Sequence, residues 1–142
     1  MITHPEVYKA AVSNCGNHDH RTDKVWWNEL WMGYPVTDVY KQQSNVENAG
    51  KIEGALFLIH GESDKNVNCA ASTMKLVDAL IKANKDFDLL IVPGDGHGAG
   101  GDYGLRRQWD FFVKHLQGVV PPKGFVVGKR LEEKDKGKKY AN

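Results

Sequence analysis

The sequence predicts an α/β protein built on a parallel sheet. Two continuous apolar runs, "GALFLIH" (residues 54–60) and "FDLLIV" (87–92), have the composition of strands covered on both faces. Each is followed by a segment with helical periodicity, not by another strand. Turn residues punctuate these segments at Asn84, at Pro93-Gly94 and at Gly118. Strands alternating with helices of this length are the pattern of β–α–β units, which set strands parallel and lay helices across the sheet faces.

The elements follow in order. "VYKAAVS" (7–13) reads as a first buried strand, reached almost at once from Met1, although globular chains usually begin with something that covers such a strand. "NCGNHDHRTD" (14–23) reads as a solvated polar loop. "KVWWNELWMGYP" (24–35) is helical until Gly33 and Pro35 stop it. Trp27 and Trp31 share a face there, and at least two of Trp26, Trp27, Trp31 and Tyr34 are expected in the core. Residues 37–50 read as a short polar helix ended by Gly50. "CAASTMKLVDALIKAN" (69–84) carries Met74, Val77 and Ile81 on one stripe and ends near Asn84. "DYGLRRQWDFFVKHLQG" (102–118) places Leu105, Trp109, Phe112, Val113 and Leu116 at helical spacing, with Gly118 as its end. Residues 1–117 therefore hold the folded portion, and 118–142 form a basic tail with little to bury, expected to be disordered. Three strands leave an unpaired edge, so the sheet reads as one half of something larger.

Composition narrows the function. A chain of 142 residues has the length of one domain. Its net charge of +1 gives no general attraction to nucleic acid, membrane or acidic substrates. Residues 123–142 hold seven Lys/Arg against three Asp/Glu, but a short terminal run of this kind reads as a solvated tail, with no nucleic acid as partner. No segment approaches the roughly 18 apolar residues of a membrane span, and "MITHPEVYKA" lacks the basic and apolar regions of a signal peptide. The two cysteines, Cys15 and Cys69, are too few for a disulfide scaffold and lack metal-ligand spacing.

Ligands of open parallel sheets bind beyond the C-terminal strand ends. Residues 13–23, 60–69 and 93–101 occupy that rim. The second carries His60, Asp64 and Asn66; the third, "PGDGHGAGG", carries Asp95 and His97 among five glycines. Such glycine density frees the backbone to turn and leaves His97 standing clear. An acid after one strand and a histidine after the next, 33 residues on, is the order of the last two members of a nucleophile–acid–histidine triad. An imidazole can take a proton from a weak nucleophile and return it to a leaving group, while a carboxylate on its other nitrogen fixes the tautomer.

These residues resemble a known family. "FLIHGESDKNV", a strand followed by H-G-x-x-D-x-N-V, looks like the acid loop of the prolyl oligopeptidase and dipeptidyl-peptidase-IV serine peptidases. "VPGDGHGAGG" resembles the same family's histidine loop, "HPEVYKAAVS" its segment just after the nucleophile helix, and "WWNELWMGYP" an aromatic and acidic stretch ending in M-G-x-P. The resemblance covers roughly residues 3–117. It implies the C-terminal half of an α/β-hydrolase fold, with Asp64 as triad acid and His97 as triad base. Asn66 matches an asparagine that helps hold the substrate backbone, Val67 lies beside the specificity pocket, and Trp27 stands where the family often places a pocket tyrosine. A tryptophan keeps a ring for stacking but loses the phenolic hydroxyl. The implied substrate is a short peptide, cleaved after proline or alanine, with no cofactor and no metal. The resemblance also implies homodimer contacts through the last helix and final strand, and export to the periplasm or beyond.

The family's nucleophile lies in G-x-S-x-G, and none of Ser13, Ser44, Ser63 and Ser72 stands in that motif. The expectation is a piece that supplies acid and base without the serine, the remainder of the same polypeptide being its partner, and that is inactive alone. An esterase or acylaminoacyl peptidase of the same fold, and a non-catalytic association module, are the alternatives. Other motifs carry less. His18, Asp19 and His20 are adjacent ligands on one loop, which rarely converge on a metal. Cys15 lacks a glycine-flanked elbow, and "GDGHGAGG" is not G-x-G-x-x-G with a distant acid.

Overall fold

The computed structural model describes residues 1–22, 24–98, 100–124 and 127. Of the tail expected over 118–142, residues 125, 126 and 128–142 thus lie outside the described residues. Strands β1 (Ala10–Asn14), β2 (Ala55–Gly61) and β3 (Asp88–Val92) form one parallel sheet in that order. Asn14 stands opposite Ile59, and Gly61 opposite Val92, so the C-terminal ends of all three strands align along one rim.

The central strand explains its own composition. Leu56 and Leu58 point to one face, where they pack with Leu76, Val77 and Leu80 of α3 (Thr73–Lys82) and with Ala49 and Ile52. Phe57 and Ile59 point to the other, against Phe111 of α4 (Gly101–Gln117) and Cys15. The Phe57 and Phe111 rings lie 5.4 Å apart. A strand covered on both faces must be apolar at every position, which is why the run is continuous and does not alternate. Leu58, Ile59 and Leu80 are fully buried; each such side chain contributes about 1.5–3 kcal/mol by leaving water.

Helix α3 ends as the sequence predicts, for a visible reason. Asn84 adopts a left-handed conformation, its N–H reaches the Ile81 carbonyl, and the Lys85 N–H reaches the Leu80 carbonyl, each at 3.0 Å. This paired closure satisfies carbonyls that the helix leaves open.

Five expectations are corrected. The outer strands are not buried: β1 begins only at Ala10, with Val7 and Tyr8 exposed before it, and neither β1 nor β3 holds a buried residue, because each pairs on one side only. In α3 the buried positions are Thr73, Leu76, Val77 and Leu80, while Met74 and Ile81 are exposed. The set 73, 76, 77, 80 is the same helical period turned toward the sheet. In α4, Phe111 and Gly104 face the sheet, Phe112 and Val113 are half-buried, and Leu105, Trp109 and Leu116 are exposed. Residues 37–50 are not one helix: α2 spans only Asp38–Gln42, and a 3-10 turn follows at Ala49–Lys51. Finally, on α1 (Val25–Met32) Trp26, Trp27 and Trp31 are exposed, as is Tyr34 beyond it, and the buried residue is Asn28.

Candidate active site

The loop after β2 is built around one buried carboxylate. Asp64 Oδ1 accepts hydrogen bonds from the backbone N–H of Asn66 at 2.8 Å and of Val67 at 3.1 Å. Its Oδ2 lies 2.8 Å from His97 Nδ1. Behind it, fully buried His60 sits on the α3 face of β2, with Nδ1 2.7 Å from Thr73 Oγ1 and Nε2 2.9 Å from the Val67 carbonyl. That carbonyl can only accept, so Nε2 carries a hydrogen, which Asp64 Oδ2 also faces at 3.2 Å. Burial raises the Asp64 pKa, but hydrogen bonds from His97, Val67 and Asn66 and the adjacent imidazole outweigh it and hold the group at about 2.

An ionised carboxylate fixes the His97 tautomer. Asp64 only accepts, so Nδ1 carries the hydrogen and Nε2 presents a lone pair outward. Asn66 Nδ2 donates toward that nitrogen at 3.2 Å. The Asn66 amide is oriented from its other end, because Lys24 Nζ donates to Asn66 Oδ1 at 2.9 Å and also reaches the Asn66 carbonyl. The His97 side chain is 47% exposed, whereas that of Asp64 is fully covered. A covered acid behind an open imidazole is the arrangement needed to polarise a base toward a cleft.

The histidine loop is held independently of His97 itself. Asp95 Oδ1 accepts the Gly96 N–H at 2.9 Å and Oδ2 accepts the Gly100 N–H at 2.6 Å, so one carboxylate spans the turn. The Asp95 carbonyl accepts the Ser63 N–H at 2.9 Å, tying this loop to the acid loop. Gly61 is where they cross: a Cβ there would lie 2.0 Å from the Gly96 carbonyl oxygen.

Beside the dyad is a cavity of about 420 Å³ lined by Asn17, His20, Lys24, Trp26, Trp27, Asn66 and Val67. Trp27, Asn66 and Val67 thus meet in one hollow, and Trp27 stacks edge-on against Trp26 and Trp31 at 5.9 and 5.8 Å. His20 Nδ1 donates to Asn28 Oδ1 at 2.9 Å, which turns that ring toward the cavity wall.

The polar loop after β1 is not a solvated stretch. His18 and Asp19 are buried. Asp19 accepts from Arg21 and from Ser44 Oγ, and His18 lies 3.2 Å from Asn45 Nδ2 and 3.4 Å from Ser13 Oγ. Among the described residues His18, Asp19 and His20 do not gather into a group that could hold a metal. Burial, with His60 nearby, lowers the His18 pKa to about 4. Ser72 Oγ donates to the Gly16 carbonyl and accepts the His18 N–H, fastening the loop to the start of α3.

The prolyl oligopeptidase family profile matches residues 1–119. The chain belongs to the prolyl oligopeptidase family. Among solved structures, the Porphyromonas gingivalis dipeptidyl peptidase 4 superposes with a TM-score of 0.68 at 24% identity, over 84% of this chain and 17% of that one. The puromycin-hydrolyzing peptidase of Mycobacterium tuberculosis gives 0.68 at 20%, over 87% and 20%. The acylaminoacyl peptidase of Pyrococcus horikoshii gives 0.67 at 19%, over 88% and 22%. These likenesses establish the fold: a parallel sheet with flanking helices that forms part of an α/β-hydrolase domain. This prolyl oligopeptidase family chain spans about a fifth of the length of the structures it matches. Among its described residues no helix is long and apolar enough to cross a membrane.

Several residues of the site had no role in it assigned from sequence. His60 and Gly61 are the H-G that opens the acid-loop motif, and their roles depend on what crosses them. Asp95 stood in the glycine run without an assigned partner. Lys24, His20 and Asn17 reach the cavity through the fold of a loop whose distant partners lie 25 to 56 residues away in sequence.

Proposed function

We propose that this chain supplies the acid and base of a serine peptidase of the dipeptidyl-peptidase-IV branch, acting on short peptides after proline or alanine. The observation that carries the reading is the Asp64 Oδ2–His97 Nδ1 contact of 2.8 Å, made by a carboxylate whose other oxygen is locked by two backbone N–H groups. In the mechanism, a serine from elsewhere in the same polypeptide gives its proton to His97 Nε2 as it attacks the peptide carbonyl. The imidazolium that forms is stabilised by Asp64, and His97 then returns the proton to the leaving amine. Water repeats the sequence on the acyl-enzyme. Asn66 must release His97 Nε2 for the serine to approach, which places its amide at the edge of the substrate's path. Trp27 offers an exposed ring face for a proline or alanine side chain, and Val67 closes the cavity floor.

Acid and base without a nucleophile lose the covalent step, so the chain by itself is inactive. The test uses the polypeptide that carries this chain together with its G-x-S-x-G serine. Gly-Pro and Ala-Pro anilides are hydrolysed, a fluorophosphonate probe labels one serine, and the 142-residue chain alone does neither. The likeness to an acylaminoacyl peptidase favours a second reading, in which the substrate is N-acylated. Faster turnover of acetyl-alanyl anilide than of the free-amine dipeptide anilides selects that reading and overturns the first.

A further inference from the structure

The end of β1 brings a third chemically active group to the dyad. The Sγ of Cys15, a carboxylate oxygen of Asp64 and a ring nitrogen of His97 all lie within 4.8 Å of one another. Cys15 is 4% exposed and Asp64 is buried, so the thiol and the carboxylate form the floor of this cluster, and the exposed His97 ring forms its open side. The Cys15 N–H is bonded to the Ile59 carbonyl at 2.9 Å, which anchors its backbone as a continuation of the β1–β2 ladder. Its backbone is left-handed, with φ of 48°. The three donors therefore come from three different strand ends on a rigid rim.

We propose that Cys15, Asp64 and His97 bind a thiolate-preferring divalent cation of the zinc class, and that the bound cation holds the dyad inactive. One sulfur, one nitrogen and one oxygen are the donor set of borderline-soft ions. Magnesium and calcium take oxygen ligands and have no use for the thiol. Zinc–ligand distances near 2.0–2.3 Å place tetrahedral donors roughly 3.3–3.7 Å apart. The Asp64–His97 pair at 2.8 Å has to open slightly, and the Cys15 Sγ, within 4.8 Å of both, is near enough to join them on one ion. The fourth position faces the solvent beside His97. Binding releases the thiol proton, and the ion takes an imidazole lone pair. If that lone pair is on Nδ1, the hydrogen shared with Asp64 is displaced. If it is on Nε2, the base is consumed directly. In either case proton transfer stops.

The sequence shows no metal-ligand spacing because Cys15, Asp64 and His97 are 49 and 33 residues apart and meet only through the parallel register. Binding does not depend on the peptidase reading, whereas inhibition does, and the two arms of the test separate them. In the first arm cobalt(II) is titrated into the intact polypeptide that carries this chain and followed by absorption, with zinc as competitor. A sulfur-to-cobalt charge-transfer band is expected. It should be lost in Cys15→Ser, kept in Cys69→Ser, and need at least about 10-fold more cobalt in His97→Ala, by analogy with the cost of disturbing metal-site residues. His97 is exposed, so that variant reads the site even if Cys15→Ser fails to fold by circular dichroism. Absence of the band, or its persistence in a folded Cys15→Ser, overturns the site. In the second arm zinc inhibits the intact enzyme, reversibly with a chelator, and Cys15→Ser resists when each variant is normalised to its own metal-free rate. Cobalt binding without zinc inhibition overturns the mutual exclusion of ion and dyad.

Discussion

A Cβ on Gly61 would stand 2.0 Å from the carbonyl oxygen of Gly96 and 2.6 Å from that of Asp95. The loop that presents His97 therefore lies directly on the last residue of β2, and the small residue there sets how close base and acid can come. Gly61→Ala forces the histidine loop outward, since backbone cannot yield as a flexible side chain can. A displacement of about 1 Å in a catalytic group costs on the order of 10²-fold in rate. The expected result in the intact enzyme is a fall in kcat of that size with far-UV circular dichroism retained.

Asp95 acts on the same loop from within. Its carboxylate holds the Gly96 and Gly100 N–H groups, and its removal leaves the segment carrying His97 without that brace. Charged hydrogen bonds contribute about 1.5–3 kcal/mol each when buried partners lose them. Asp95→Ala should lower kcat by roughly 10-fold or more with KM nearly unchanged, and Asp95→Asn, which keeps one acceptor, should lose less. Steady-state kinetics on the anilide substrate read the split; an effect confined to KM contradicts a positioning role.

The buried His18 makes stability depend on mildly acidic pH. Its folded pKa of about 4 is below the ordinary imidazole value of 6.5 because burial disfavours the charged ring. The unfolded chain therefore binds the proton first. The stabilising contribution is complete above pH 6.5 and is lost as pH falls toward 4, a total on the order of 3 kcal/mol. Urea denaturation between pH 7 and 4 should show this loss, and His18→Gln should flatten the slope across that window. An unchanged slope places the dependence elsewhere.

Trp27 separates binding from folding. It is 48% exposed yet lines the cavity with Asn66 and Val67. Trp27→Ala should change the unfolding free energy by less than about 1 kcal/mol, as exposed positions do. It should lower kcat/KM for the proline-containing anilide by about 10-fold, mainly through KM, given the apolar area a stacked ring covers. A large loss of stability with unaltered kinetics would assign the ring to packing.

Much of the fold was legible because it rests on local pattern. The run at 54–60 is apolar up to Ile59, and β2 is indeed covered on both faces by α3 and α4; the run at 87–92 does form β3, but as an edge strand with no buried residue. The order of Asp64 and His97 along the chain placed both on one rim, where they meet. What was not legible depended on partners distant in sequence. The phase of the α3 stripe was misread because Met74 and Ile81 are as apolar as Leu76 and Leu80, and only the sheet decides which set is covered. The loop at 14–22 looked polar and solvated because Asp19 is satisfied by Arg21 and Ser44 and His18 by Asn45. At least two of Trp26, Trp27, Trp31 and Tyr34 read as core, yet all four are exposed, and Trp26 and Trp27 line the cavity.

We propose His97, oriented by Asp64, as the base of a serine peptidase. The rate of acyl-enzyme formation in the intact enzyme carrying His97→Ala, measured by stopped-flow release of the aniline, tests this role. A fall of at least about 10⁴-fold with the fold retained is expected. A rate near that of the unmodified enzyme would contradict it.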